Sequence, residues 1–191
     1  MRRVLVLMSA VLAAKMAAAT QSKGWRDYTY PVYAFAISFP AEPKVETTPY
    51  KTAEGGEVEA HVYSLEEENT VYTVVVADFS HVRTEEKNVI GHAIETLAQD
   101  GEIKLDIPHR VNRVYGRQLS IAGKDGSHSS IALFYYQRRL YQIVGEALPA
   151  VVDTSSDAIR FQQSIRFTNN ASNRSPLEPV FNAVSRVFGN N

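Results

Sequence analysis

Any chemistry in this chain would have to come from five histidines, a set of arginines and one serine beside a histidine. The histidines are His61, His81, His92, His109 and His128. None forms an HxH pair and no two lie four apart, so the spacing that lets a strand or helix offer two imidazoles to one metal is missing. His61 and His81 fall near two β-rich runs expected to be neighbours. A metal site assembled from that pair is one reading, and two partly exposed sheet histidines is the other. Gly126-Ser127-His128 sets a hydroxyl beside an imidazole. It opens a strand after a hairpin turn, whereas a serine nucleophile is presented on a strand-to-helix elbow, so a hydrolase is the lesser expectation. No Walker-type or GxGxxG stretch occurs, and Gly55-Gly56 reads as a turn before a strand. There is no cysteine, which removes disulfides, thiolate metal sites, cysteine nucleophiles and lipidated cysteine together. No cofactor is expected.

The arginines are more suggestive. Arg110, Arg113 and Arg117, with Arg138 and Arg139 further on, would make a basic surface for an anion or an acidic partner. The competing reading is that charged residues on solvated strand edges guard against sheet-to-sheet pairing. Charge is polarised along the chain: residues 27–108 hold 5 basic and 16 acidic side chains, and residues 109–191 hold 10 basic and 5 acidic. The two halves either neutralise each other side by side in one domain or give a dipolar surface that orients a charged partner. With 20 basic against 21 acidic residues overall, a dedicated nucleic-acid binder is not expected.

The elements that must position these residues begin after a leader. Arg2 and Arg3 precede the apolar run Val4 to Ala14, and Ala17 and Ala19 stand at the two small-residue positions of a cleavage site. A signal peptide over residues 1–19 follows, with a periplasmic or secreted product. Lys15 interrupts the apolar run well short of the roughly 20 residues a membrane span needs, so no stable membrane insertion is expected once the leader is gone.

In the remaining chain Tyr33, Phe35, Ile37 and Phe39 alternate with small residues and read as a strand ended by Pro40. Residues 41–52, with Pro43 and Pro49, read as a loop. Val58 to Leu65 and Val71 to Phe79 form a hairpin around Glu66 to Asn69. Pairing Leu65 with Thr70 sets Ala60 opposite Val75 and His61 opposite Val74, with the apolar faces coincident. Glu85 to Gln99 predicts a helix with an apolar side of Val89, Ile90, Ala93, Ile94, Leu97 and Ala98, a cap from Thr84, and Gly101 past its end. A short strand near Ile103 to Ile107 comes next. Tyr115 to Ala122, Ser127 to Tyr136 and Arg139 to Leu148 predict a three-stranded meander with a tight turn at Gln137-Arg138. A last helix carries Ala158, Ile159, Phe161 and Ile165. The prediction is one α+β domain over residues 25–167, with helices covering a mainly antiparallel sheet.

Residues 168–191 are a Ser, Asn and Pro-rich linker followed by a short apolar stripe at helical spacing: Val180, Phe181, Val184, Val187 and Phe188. Such a stripe either folds back on its own domain or meets a partner or membrane surface, so Phe181, Val184 and Phe188 join the five arginines as candidate partner-binding residues.

An aromatic strand ending in Phe39-Pro40, a hairpin, a helix, then Arg138-Arg139-Leu140-Tyr141-Gln142 before a helix reading Phe161-Gln162-Gln163-Ser164-Ile165 resembles the PsbP, Mog1 and DcrB-like superfamily, in particular its small exported bacterial members. The resemblance covers about residues 25–167 and implies an αβα sandwich around an antiparallel sheet. It also implies an accessory or binding protein with no catalytic residues to carry over. The expected function is therefore a non-enzymatic envelope protein that contacts an unidentified envelope protein, with a small ligand or metal as the alternative cargo.

Overall fold

In the computed structural model the described residues are 24–67, 69–149 and 155–168. The expected signal peptide with Ala17 and Ala19, and the stripe with Phe181, Val184 and Phe188, lie outside them.

Seven strands form the central antiparallel sheet. In chain order they are β3 (Lys44–Lys51), β4 (Glu57–Glu67), β5 (Thr70–Asp78), β6 (Gly101–Val111), β7 (Val114–Gly123), β8 (His128–Tyr136) and β9 (Arg139–Ala147), and across the sheet they run β3-β4-β5-β9-β8-β7-β6. A smaller sheet joins β1 (Arg26–Tyr30), β2 (Phe35–Phe39) and β10 (Arg166–Phe167) in the order β1-β2-β10. Helix α1 (Glu86–Leu97) covers one face of the large sheet, and helix α2 (Ser155–Gln163) with the small sheet covers the other. This is the α+β layering the sequence predicts.

Side-chain alternation separates two cores of different character. On the α2 face, Phe35, Tyr63, Tyr72, Phe134, Tyr141, Phe161 and Phe167 bury together, largely in edge-to-face pairs such as Phe35 with Tyr141 and Phe134 with Phe167. On the other face Val89, Ile90 and Ala93 of α1 pack on Ala60, Ala77, Ile131, Leu133 and Leu140, a mainly aliphatic layer. Gly145 lets α2 lie directly on β9, since a Cβ there would stand 2.3 Å from the Ala158 carbonyl oxygen.

The structure corrects several expectations. Residues 44–51 are a strand, Pro49 included, because an edge strand needs donors on one side only. The β4–β5 hairpin closes at Glu67↔Thr70, which sets His61 opposite Val76 and Ala60 opposite Ala77. That is two residues from the expected register, an even shift that leaves each side chain on its expected face. Tyr33 closes a 3-10 turn (Pro31–Tyr33) ahead of β2. Thr84 does not cap α1; Glu85 stands at that position without a side-chain cap bond, and the Thr84 hydroxyl donates to Glu54. The short strand at 103–107 is an eleven-residue edge. Ile159 is exposed, since it falls about 100° round the helix from Ala158 and away from the sheet.

Both outer strands carry the devices that stop sheets joining edge to edge: Pro49 with Lys44 and Lys51 on β3, and Pro108 with Lys104 at a register shift on β6.

Candidate functional site

The chain reverses at Val111↔Val114 and at Tyr136↔Arg139 through two-residue loops. Asn112 and Arg113 have φ of 49° and 70°, and Gln137 and Arg138 have φ of 50° and 60°. Both loops are thus of the primed kind that matches strand twist and favours Asn-Gly. Only Asn112 is a residue type that tolerates the left-handed region readily. Arg113, Gln137 and Arg138 each carry a penalty of roughly 1 kcal/mol. Ala34, with φ of 53° after the 3-10 turn, is the one other non-glycine residue of positive φ among the described residues. It lies at the same end of the sandwich, because the Thr168 amide donates to the Ala34 carbonyl and the neighbouring Phe167 amide donates to the Asn112 side chain.

Strand register gathers the five predicted arginines here. Arg110 stands opposite Tyr115, Arg117 opposite Leu133, and Arg139 between Tyr136 and Asp78. Arg113 and Arg138 occupy the two turns. Their engagements differ. Arg138 donates to the carbonyls of Phe79 (3.2 Å) and Val82 (2.7 Å) and so ties its turn to the loop that leads into α1. Arg139 donates to Asp78 at 3.2 Å and lies 5.5 Å from the centre of the Tyr33 ring. Arg117 pairs with Asp106 at 2.6 Å. Arg110 lies 5.8 Å from the Tyr115 ring centre, a cation over an aromatic face. Arg110 and Arg113 have no carboxylate partner among the described residues.

Burial pushes the Asp78 carboxyl up, but hydrogen bonds from Ser80 and the charge of Arg139 outweigh it and hold the group below the ordinary carboxylate value. The Tyr141 hydroxyl donates to the Tyr33 carbonyl at 2.8 Å, and burial raises its pKa to about 12, so it remains a donor. This bond fixes the 3-10 turn whose tip is Val32, 72% exposed. Tyr115 is 67% exposed, and these two are the most exposed large apolar side chains among the described residues. A hollow of about 340 Å³ lies beside Tyr115, lined by Glu86, Lys87, Ile90, Gly116 and Arg117.

The two candidate histidines occupy different kinds of element, His61 on β4 and His81 beyond the end of β5. His61 lies against Tyr33, its Nδ1 is 3.3 Å from the Thr47 hydroxyl, and its Nε2 is 3.2 Å from a Glu59 carboxylate oxygen. An Nε2–H donating to Glu59 and an Nδ1 accepting from Thr47 satisfies both contacts. β5 ends at Asp78, so His81 lies on the loop beyond it, exposed. Among the described residues no group of three or more His, Asp or Glu could hold a metal ion. Ser127 is buried in the turn before β8, where its amide donates to Asp125.

The sequence reading missed Tyr33, Val32, Asp78 and Tyr115, which complete this end. The available signal was the two tight turns themselves, Asn-Arg and Gln-Arg, each flanked by alternating strands yet lacking glycine.

The fold is similar to that of cyanobacterial PsbP (CyanoP) from Synechocystis sp. PCC 6803. That structure aligns over 78% of this chain and 95% of its own, with a TM-score of 0.50 and 11% sequence identity. The fold is PsbP-like. No family model matches the chain, and no curated protein does. At this identity the PsbP-like likeness concerns the path of the backbone and leaves the arginine end as a feature of this sequence. Among the described residues no helix of the PsbP-like domain is long and apolar enough to cross a membrane.

Proposed function

We propose that this protein is a non-enzymatic, exported accessory protein of the cell envelope that docks an acidic partner protein through the arginine end of its sheet. The observation that carries the reading is a coincidence in space. The strained turns, the five arginines and the two most exposed apolar side chains all share one end. Backbone strain concentrates where function holds it in place. Arginine and tyrosine dominate the binding energy of protein interfaces. Among the described residues Arg110 and Arg113 have no carboxylate partner, and Tyr115 and Val32 offer apolar surface on either side. The leader-like N-terminus supports export.

The test is capture from an envelope fraction at low salt, comparing the native chain with the double reversal Arg110→Glu/Arg113→Glu. Lys104→Glu/Lys124→Glu, on the strand and turn toward the opposite end, serves as the control. The reading expects capture to fall at least roughly tenfold in the arginine variant, to weaken with added salt, and to survive in the control. Equal capture by both variants would remove this surface from consideration.

A further inference from the structure

One part of the large sheet is thinly covered among the described residues. On the α2 face, β1 and β2 lie over β4 and β5, and α2 with β10 lies over β9 and β8. Over β7 and β6 the described residues give cover at the turn end, where Val114 is buried with Phe134 and Phe167 and Val111 packs beside it; toward Ser120, Leu105 and Ile107 the same face is half-buried to exposed. Register defines the trough that results: Gly145, against which Ala158 of α2 packs, is opposite Ser130, Ser130 is opposite Ser120, and Ser120 is opposite Leu105. The floor beside α2 is therefore serine. The far wall is Leu105 and Ile107 on β6, both exposed. Ser164 and Ser38 join the two layers on the β2 side of α2, and Ile159, exposed, lies on the flank turned the other way. From β9 to β6 is three strand spacings, about 14 Å. A helix packed beside α2 at the usual 8–10 Å between axes would lie over β7.

The geometry points to an occupant from this same chain: we infer that the C-terminal stripe Val180, Phe181, Val184, Val187 and Phe188 docks in this trough as a second helix alongside α2. The described chain ends where such a segment must start. Phe167 is bonded to Asn112 at the β6–β7 turn, and residues 169–191 follow. The eleven residues 169–179 reach up to about 36 Å when extended, against about 23 Å from Asn112 down β6 to the level of Leu105. Nine helical residues, 180–188, are about 14 Å long, the length of the Leu105 to His109 strip. Two phenylalanines above a floor of small residues, between Ile159 and the Leu105-Ile107 wall, supply the large-on-small match that close packing needs.

The chain has no cysteine, so a single Ser185→Cys substitution in the full chain carries a nitroxide label cleanly. The docked segment broadens the amide signals of Leu105 to Ile107, His109 and Gln118 to Ala122 and leaves those of β3 sharp. Broadening spread evenly over the domain, or absent, overturns the proposal. A mixture of labelled chain at natural isotope abundance with unlabelled, nitrogen-15 chain separates the rival occupant: broadening in that mixture means the stripe sits on a second copy, which also overturns it. Deleting residues 180–191 should speed amide exchange of the same β6 and β7 residues roughly tenfold and leave β4 and β5 unchanged. Unchanged exchange at β6 and β7 would count against docking.

Discussion

The two ends of the large sheet solve the same problem with different residues. At one end the chain turns from β7 to β8 through Gly123-Lys124-Asp125-Gly126, with glycine at the φ of 90° and the Asp125 carboxylate accepting from the Ser127 amide. Every residue suits its place. At the other end the turns are Asn112-Arg113 and Gln137-Arg138, where all four residues sit in a conformation that glycine would adopt without penalty and only Asn112 tolerates it readily. Arginine stands in both turns despite the backbone conformation. For Arg138 the structure supplies a reason in the carbonyls of Phe79 and Val82. Arg113 has no such internal engagement among the described residues, and the proposed partner is its reason.

Substitutions can break or sharpen this contrast. The largest effect is expected at Gly116, three residues past Arg113 of the strained turn, where a Cβ would stand 2.0 Å from the Leu133 carbonyl oxygen in the sheet ladder. Gly116→Ala should cost about 3 kcal/mol in urea unfolding. Gly123→Ala at the quieter end should cost far less, since the atoms met there are the Ser127 hydroxyl and the Asp125 carboxylate, which can move. Next is Arg138→Ala, which keeps the strained backbone and removes both bonds to the α1 loop; a loss of about 2 kcal/mol is expected, with faster amide exchange at Val82. Arg113→Gly should go the other way. Relief of the left-handed strain adds up to about 1 kcal/mol of stability while partner capture falls, a trade that no purely structural arginine would show.

The smallest effect concerns pH. The folded-state pKa of Asp78 is depressed, so its contribution is present above the unfolded carboxylate value and is lost as pH falls through the lower folded value. Asp78→Asn should flatten the acid limb of the stability profile by less than about 1 kcal/mol, because the Asp78–Arg139 pair is partly solvated.

Much of this molecule was legible in advance. Alternation in Phe35 to Phe39 and along the meander marked strands, and the stripe Val89, Ile90 and Ala93 marked α1, because periodicity reports which face is buried. β3 was not legible, since prolines at 43 and 49 signal a loop and only a neighbour on one side makes such a strand acceptable. The arginines were legible as a group, but their roles were not. Asp106, Asp78 and the Phe79 carbonyl, which engage three of them, come from 11 to 61 residues away along the chain.

The sequence by itself determined the hairpin, the meander and the two helices, which face each buries, and which residues stand at the turns. These depend on local periodicity and on the conformational preferences of single residues. Only the tertiary structure decided that turns 25 residues apart in sequence lie at one end with Tyr33 and Val32, and that β6 lies at the edge of the large sheet with Leu105 and Ile107 exposed. Strand order and layer placement are set by long-range packing of the whole core, and no local pattern encodes them.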